Sequence, residues 1–127
     1  MVLVIGGACQ GKLKLVFSWL EKEIDRSLYA DGAVDDWLAV TDKPVIYRLQ
    51  DYLKRGLEEH RDMDVWIRQL IAAAPEYVIM DEVGCGVVPV LAKQRLYREL
   101  AGHTGQQLAR EASAVYRVIC GIPVQIK

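Results

Sequence analysis

The feature that most limits what this chain can fold into is at its start. An apolar run, Val2-Leu3-Val4-Ile5, stops at Gly6-Gly7, and from Lys12 apolar residues recur at helical spacing: Leu13, Val16, Phe17, Leu20 and Ile24. A strand apolar at every position must be buried on both faces, as central strands of parallel sheets are. The period changes across a glycine-rich turn, which makes a strand–loop–helix unit. Further strands are predicted at Val45–Leu49, at Tyr77–Met80 and at Val115–Cys120. A Gly121-Ile122-Pro123 turn then leads to a short last strand at Val124–Ile126. Helical patterns fall between the strands. One covers Gln50–His60, and a second, capped by Asp62 or Asp64, carries Met63, Trp66, Ile67, Leu70, Ile71 and Ala74 up to Pro75. Two more cover 90–101 and 104–113. Residues 25–43 read as irregular, with one short helix around Trp37. Alternating strands and helices predict a three-layer α/β/α fold with a mostly parallel sheet and an antiparallel C-terminal edge strand.

The 127 residues make one domain's worth of chain, so 1–127 is expected to be a single unit. Sixteen Lys+Arg against seventeen Asp+Glu leave a net charge of −1, which excludes bulk electrostatic binding to nucleic acid or an anionic membrane. The N-terminal apolar run is too short for a signal peptide or a membrane span. Cys9, Cys85 and Cys120 form no C-x-x-C pair, so neither a disulfide framework nor a zinc site is suggested. A cytoplasmic protein is expected.

The segment Gly6-Gly7-Ala8-Cys9-Gln10-Gly11-Lys12-Leu13 fits G-x-x-x-x-G-K of the P-loop but lacks the closing Ser or Thr. Its glycines let backbone N–H groups converge, the helix N-terminus adds partial positive charge, and Lys12 reaches the outer phosphates. The pattern arises by chance in roughly 3 in 100 chains of this size, before its place between strand and helix is counted. The alternative is an ordinary glycine turn with a solvated Lys12. Leu13 cannot ligate magnesium as the usual hydroxyl does, so Mg2+ binding is expected to be weakened. Asp81-Glu82 ends an apolar strand, where ligands of open α/β sheets sit. Two readings are open for this pair: holding metal or orienting water, with Asp81 as the metal ligand, or a solvated acidic loop.

Asp81-Glu82-Val83-Gly84-Cys85-Gly86-Val87-Val88-Pro89, Tyr97-Arg98-Glu99-Leu100-Ala101-Gly102 and the ending Val115 to Lys127 resemble segments of the bifunctional adenosylcobinamide kinase / adenosylcobinamide-phosphate guanylyltransferases of cobalamin synthesis. Asp81-Glu82-Val83-Gly84-Cys85-Gly86-Val87-Val88-Pro89 is similar to that family's N-E-V-G-x-G-I-V-P. Tyr97-Arg98-Glu99-Leu100-Ala101-Gly102 resembles F-R-D-x-A-G, and Gln106-Gln107-Leu108-Ala109 resembles N-Q-x-L-A. The ending Val115 to Lys127 resembles V-x-L-V-x-S-G-I-P-x-x-I-K, and the start resembles V-T-G-G-A-R-S-G-K-S. Family members are longer in the middle, where they carry the histidine that bears GMP. Here only His60 and His103 exist, and both read as solvated helix residues. Arg48 falls where the family's strand ends in an acid. The chain therefore reads as a shortened, divergent member.

The resemblance implies a P-loop nucleotide-binding protein that uses ATP or GTP to phosphorylate a cobinamide-like alcohol, with guanylyl transfer lost. Gly6, Gly7, Ala8, Cys9, Gln10, Gly11, Lys12 and Leu13 would form the nucleotide loop, and Lys12, Asp81 and Glu82 the catalytic set. It also implies a homo-oligomer, a trimer by family habit. The runner-up is a non-catalytic nucleotide-binding or regulatory relative with a degenerate P-loop. A third reading is an assembly protein whose loop binds only sulfate or phosphate.

Overall fold

The computed structural model describes residues 1–84 and 91–127. Their strands form one sheet in the order β2-β3-β4-β1-β5-β6. These are β1 (Val2–Gly6), β2 (Tyr29–Asp31), β3 (Val45–Tyr47), β4 (Tyr77–Asp81), β5 (Ala114–Ile119) and β6 (Ile122–Gln125). All pairings are parallel except β5 with β6. The two wholly apolar runs, β1 and β4, lie side by side in the interior, as their composition requires.

Alternation along the strands sorts side chains to two faces. Val4, Val45, Ile79 and Val118 pack under α1 (Lys12–Trp19) with Val16. Leu3, Ile46, Val78, Met80 and Val115 face the other way. There they meet residues of α2 (Leu49–Glu58), α3 (Met63–Ala73) and α4 (Ala92–Glu111). The result is a helix–sheet–helix sandwich of the P-loop type, with one helix on one face and three on the other among the described residues. No described helix is long and apolar enough to cross a membrane.

Several boundaries differ from the sequence reading. Helix α1 stops at Trp19 rather than running through Ile24, because Glu21 turns left-handed (φ 56°). The Lys22 N–H then bonds Phe17 O at 3.1 Å and the Glu21 N–H bonds Ser18 O, a Schellman ending. The stretch 25–43 is not wholly irregular, since Tyr29–Asp31 adds the parallel edge strand β2 beside β3. The short 3-10 turn Trp37–Thr41 matches the expectation around Trp37. It is held by Trp66, whose indole N–H donates to Trp37 O, and by Tyr52 and Trp66 rings at 5.5 Å from the Trp37 ring. Strand β3 ends at Tyr47, not Leu49, because Arg48 is left-handed and opens α2.

Asp62 caps α3 through the Val65 N–H, and Ala74 ends it before Pro75. The two expected helices around 90–113 are one, α4. Gly102 does not break it, because Ala101, Thr104 and Leu108 form one continuous buried stripe that outweighs a glycine cost of about 1 kcal/mol. His103 is exposed on α4, and His60 lies exposed just beyond α2. The last hairpin turns at Cys120-Gly121, both with positive φ as a two-residue type I′ turn requires, so Ile122 and Pro123 belong to β6. Of the expected glycine loop 83–89, residues 85–89 lie outside the described residues.

Gly32 shows how closely β2 and β3 close up. A Cβ there would lie 2.0 Å from Arg48 O, a backbone atom that cannot swing away. Gly32→Ala is expected to destabilise the fold by about 1–3 kcal/mol, measured as a lowered urea midpoint with unchanged slope.

Candidate functional site

Sheet register builds the site. β1 pairs with β4 so that Gly6 stands opposite Asp81, and with β5 so that Gly6 stands opposite Val118. The loop after β1 therefore emerges beside the carboxyl end of β4, where open α/β sheets bind ligands. Gly6 is required by close approach, since a Cβ would meet Val118 O at 2.5 Å. Cys9 and Gly11 then take left-handed conformations (φ 58° and 83°) that curl the loop into α1. No side chain caps α1, and first-turn amides of a helix have no intrahelical acceptors. Among the described residues the amides of 8–14 bond no other protein group.

Lys12 is 5% exposed and folds back under the loop. Its ammonium donates to Gly7 O at 2.6 Å and Gly6 O at 3.3 Å, and pairs with Asp81 Oδ1 at 2.6 Å. Loop, lysine and strand-end acid thus converge as the sequence suggested. Asp81 is placed from behind by Gln50, whose Oε1 accepts from the Asp81 N–H at 3.0 Å. Glu82 goes elsewhere. Its carboxylate takes a two-point pair from Arg117 of β5 (2.6 and 3.1 Å), and it does not line the cleft. Gln10 also has a different part from a cradle residue. Its side chain accepts from the Cys120 N–H at 2.6 Å and its carbonyl from the Gly121 N–H at 2.9 Å, which seats the β5–β6 turn against the loop.

The cleft in front of the loop measures about 610 Å3. Ala8 to Lys14 form one wall, Tyr47, Arg48, Gln50, Asp51 and Asp81 the other, and Ile24 the rim. Leu13 faces this cleft while packing against the core under α1, so at this position the cleft has an apolar surface. The sequence reading missed Tyr47, Gln50 and Asp51. Their signal was position alone: they follow directly on a parallel strand's carboxyl end.

The second wall rests on an ion pair. Asp31, buried at the end of β2, binds Arg48 through Nε at 2.8 Å and Nη2 at 2.5 Å, and also accepts from the Ala33 N–H. Arg48 is left-handed (φ 53°), a conformation costing on the order of 1–3 kcal/mol in a non-glycine residue. The pair holds it there and so aims the first turn of α2 into the cleft. Burial raises the Asp31 carboxyl, but Arg48 and the Ala33 N–H outweigh it and leave it below the usual carboxylate range. Asp51 goes the other way. Burial pushes it up against the pull of Arg48, and the charges of Asp81 and Asp31 push it further. Tyr97 of α4 is pushed up to about 12 by burial and by Asp51 and Asp81, so it stays a neutral phenol.

With this geometry established, comparison with known proteins is informative. The family model described as cobinamide kinase / cobinamide phosphate guanyltransferase matches residues 47–126. The chain belongs to this family. The match begins beyond the loop 6–13, so the loop is assigned by its own geometry. A curated relative, the bifunctional adenosylcobalamin biosynthesis protein CobU of Escherichia coli (strain K12), is 42% identical over 66 residues, 48% of this chain and 36% of the relative. The CobU of Salmonella typhimurium is 40% identical over 72 residues, 53% of this chain and 40% of the relative. The chain thus matches about two fifths of the length of these curated members of the family.

The Asp31–Arg48 pair has a pH signature. A carboxyl lowered in the folded state stabilises fully above the ordinary carboxylate range and loses that contribution as pH falls through its folded pKa. Asp31→Asn is expected to cost on the order of 1–3 kcal/mol at neutral pH, less than a fully buried pair because Arg48 is 38% exposed, and to flatten the acid limb of stability against pH. Denaturant melts from neutral pH down to about pH 2, through and below the ordinary carboxylate range near 4, would check both.

Proposed function

We propose that this chain is a nucleotide-dependent kinase, transferring a phosphoryl group from ATP or GTP to the hydroxyl of a cobinamide-like alcohol, without guanylyl transfer. The observation that carries this reading is the buried Lys12 ammonium, set between the loop carbonyls and Asp81 at the mouth of an amide-lined cleft. Residues 6–13 would cradle the phosphates through backbone N–H groups, and Lys12 would neutralise charge developing on the transferred group. Neither His60 nor His103 lines this cleft, which fits the loss of guanylyl transfer.

Magnesium commonly takes one or two carboxylates together with phosphate oxygens and water. Asp81 offers such a carboxylate, while Leu13 offers nothing, so the donor set fits an ion held chiefly by the nucleotide. Bound there, magnesium would offset charge on the bridging phosphates. The role first shared by the acidic pair falls to Asp81, and Glu82 steadies the strand end through Arg117. The chain is read as a single cytoplasmic unit over 1–127. Homo-oligomerisation is supported by the apolar residues Ile119, Ile122, Val124 and Ile126 exposed on its last hairpin and tail.

Lys12→Ala is expected to weaken ATP or GTP binding by about 1.5–3 kcal/mol in titrations, as for loss of a charge-assisted hydrogen bond. Unchanged affinity would mean that the loop is only a turn. Leu13→Ser is expected to make nucleotide affinity depend more strongly on magnesium. The non-catalytic alternative draws on that same Leu13. Nucleotide binding without magnesium-dependent phosphate transfer to cobinamide, in both the unmodified protein and Leu13→Ser, would decide for it.

A further inference from the structure

The carboxylates around the cleft differ in one respect. Asp31 is bound by Arg48, Asp81 by Lys12 and Glu82 by Arg117. Asp51 is 32% exposed, and among the described residues its side chain accepts no hydrogen bond. Its nearest cation is Arg48 Nε at 3.9 Å, too far for one. It stands on the first turn of α2, in the wall that faces Lys12 across the cleft.

A second cavity lies further along the same helix. One turn further along α2, Lys54 lines a space of about 600 Å3 together with Leu57, Glu58, Leu91 and Tyr97. Tyr97 and Lys54 both lie within electrostatic reach of Asp51, and Tyr97 within reach of Asp81 as well. The two cavities therefore lie on successive turns of α2, with Asp51 in the first and within electrostatic reach of Lys54 and Tyr97 of the second. A bisubstrate enzyme has to bring two ligands together at such a boundary, with a group there to accept the proton of the attacking hydroxyl.

We infer that Asp51 is the general base of the phosphoryl transfer, and that the second cavity receives the acceptor alcohol. This rests on the kinase reading above. The acceptor's O–H bond breaks and its proton passes to the Asp51 carboxylate. The oxygen's electron pair forms the bond to the γ-phosphorus, and the bond from that phosphorus to the bridging oxygen breaks, releasing the nucleoside diphosphate. Asp51 then returns its proton to solvent. The groups facing Asp51 are Arg48 and Lys54 on its own segment, Asp31 at the end of β2, Asp81 at the end of β4 and Tyr97 of α4. Loosely held by cations and accepting no hydrogen bond among the described residues, Asp51 keeps its lone pairs for the acceptor.

The test is steady-state transfer from ATP or GTP to cobinamide by the whole chain, with nucleotide affinity measured separately by titration. Asp51→Asn is expected to lower kcat about 100-fold or more while nucleotide affinity stays unchanged, and Asp51→Glu is expected to recover part of the turnover. A merely structural residue would move affinity and turnover together, so joint loss of both overturns the assignment. So does a kcat within about threefold of the unmodified protein, far below what a general base contributes. Tyr97→Ala is expected to raise KM for cobinamide and leave KM for the nucleotide unchanged, and an unchanged cobinamide KM removes the second cavity as its site. Absence of transfer by the unmodified protein would sink the kinase reading itself, whereas intact transfer in Asp51→Asn would sink only this inference.

Discussion

The site depends first on the parallel pairing of β1 with β4. Both strands are apolar up to their last residue, so each is driven into the sheet interior, and their register sets Gly6 against Asp81. Everything that follows β1 is then delivered beside everything that follows β4. The loop has to curl where it does because Val118 crowds Gly6 from the other side. Lys12, the first residue of α1, has no direction to point except back under that loop to Asp81. A one-residue slip would break this arrangement, since Gly6 would no longer stand opposite Asp81 and every side chain of the slipped strand would change faces.

A second constraint shapes the opposite wall. Asp31 sits at the end of the edge strand β2 and reaches Arg48, the residue that ends β3 and opens α2. The left-handed turn at Arg48 is unfavourable by itself, and it is retained because the ion pair and the close approach of Gly32 leave it no room to relax. The consequence is functional as well as structural. Gln50 steadies the Asp81 backbone, and Asp51 is carried into the cleft by the same turn of helix. The aromatic contacts of Trp37, Tyr52 and Trp66 hold the segment between β2 and β3 onto α2 and α3, so the edge strand is not left to pair alone.

Charge is distributed unevenly around this cleft. The loop side presents amides, the already paired Lys12, and Lys14, while the far side presents Arg48 and carboxylates at different levels of compensation. Membership of the cobinamide kinase family is carried by residues 47–126, which contain the far wall and the last strands rather than the loop. The loop and the matched region are thus independent lines of argument that meet in one place. Leu13 is the point where they pull apart, because it gives the cleft an apolar surface where a P-loop normally offers a hydroxyl.

By itself the sequence determined the parts whose physics is local. Val2–Ile5 and Tyr77–Met80 had to be interior strands because nothing polar interrupts them. Glycines between a strand and a helix had to curl the loop that ends at Lys12, and an aspartate, Asp62 or Asp64, had to cap α3 because its carboxylate can accept a first-turn N–H. Tertiary structure decided what depends on partners distant in sequence. Tyr29–Asp31 is a strand only because β3 lies beside it, and α4 runs through Gly102 only because its buried stripe is continuous against the sheet. Glu82 was indistinguishable from Asp81 in the sequence, and its pair with Arg117 of β5 became visible only in the tertiary structure. Asp51 carried no motif at all. Its exposure to the cleft follows from how Arg48 turns, and that turn is set by an aspartate on another strand, which local pattern does not encode.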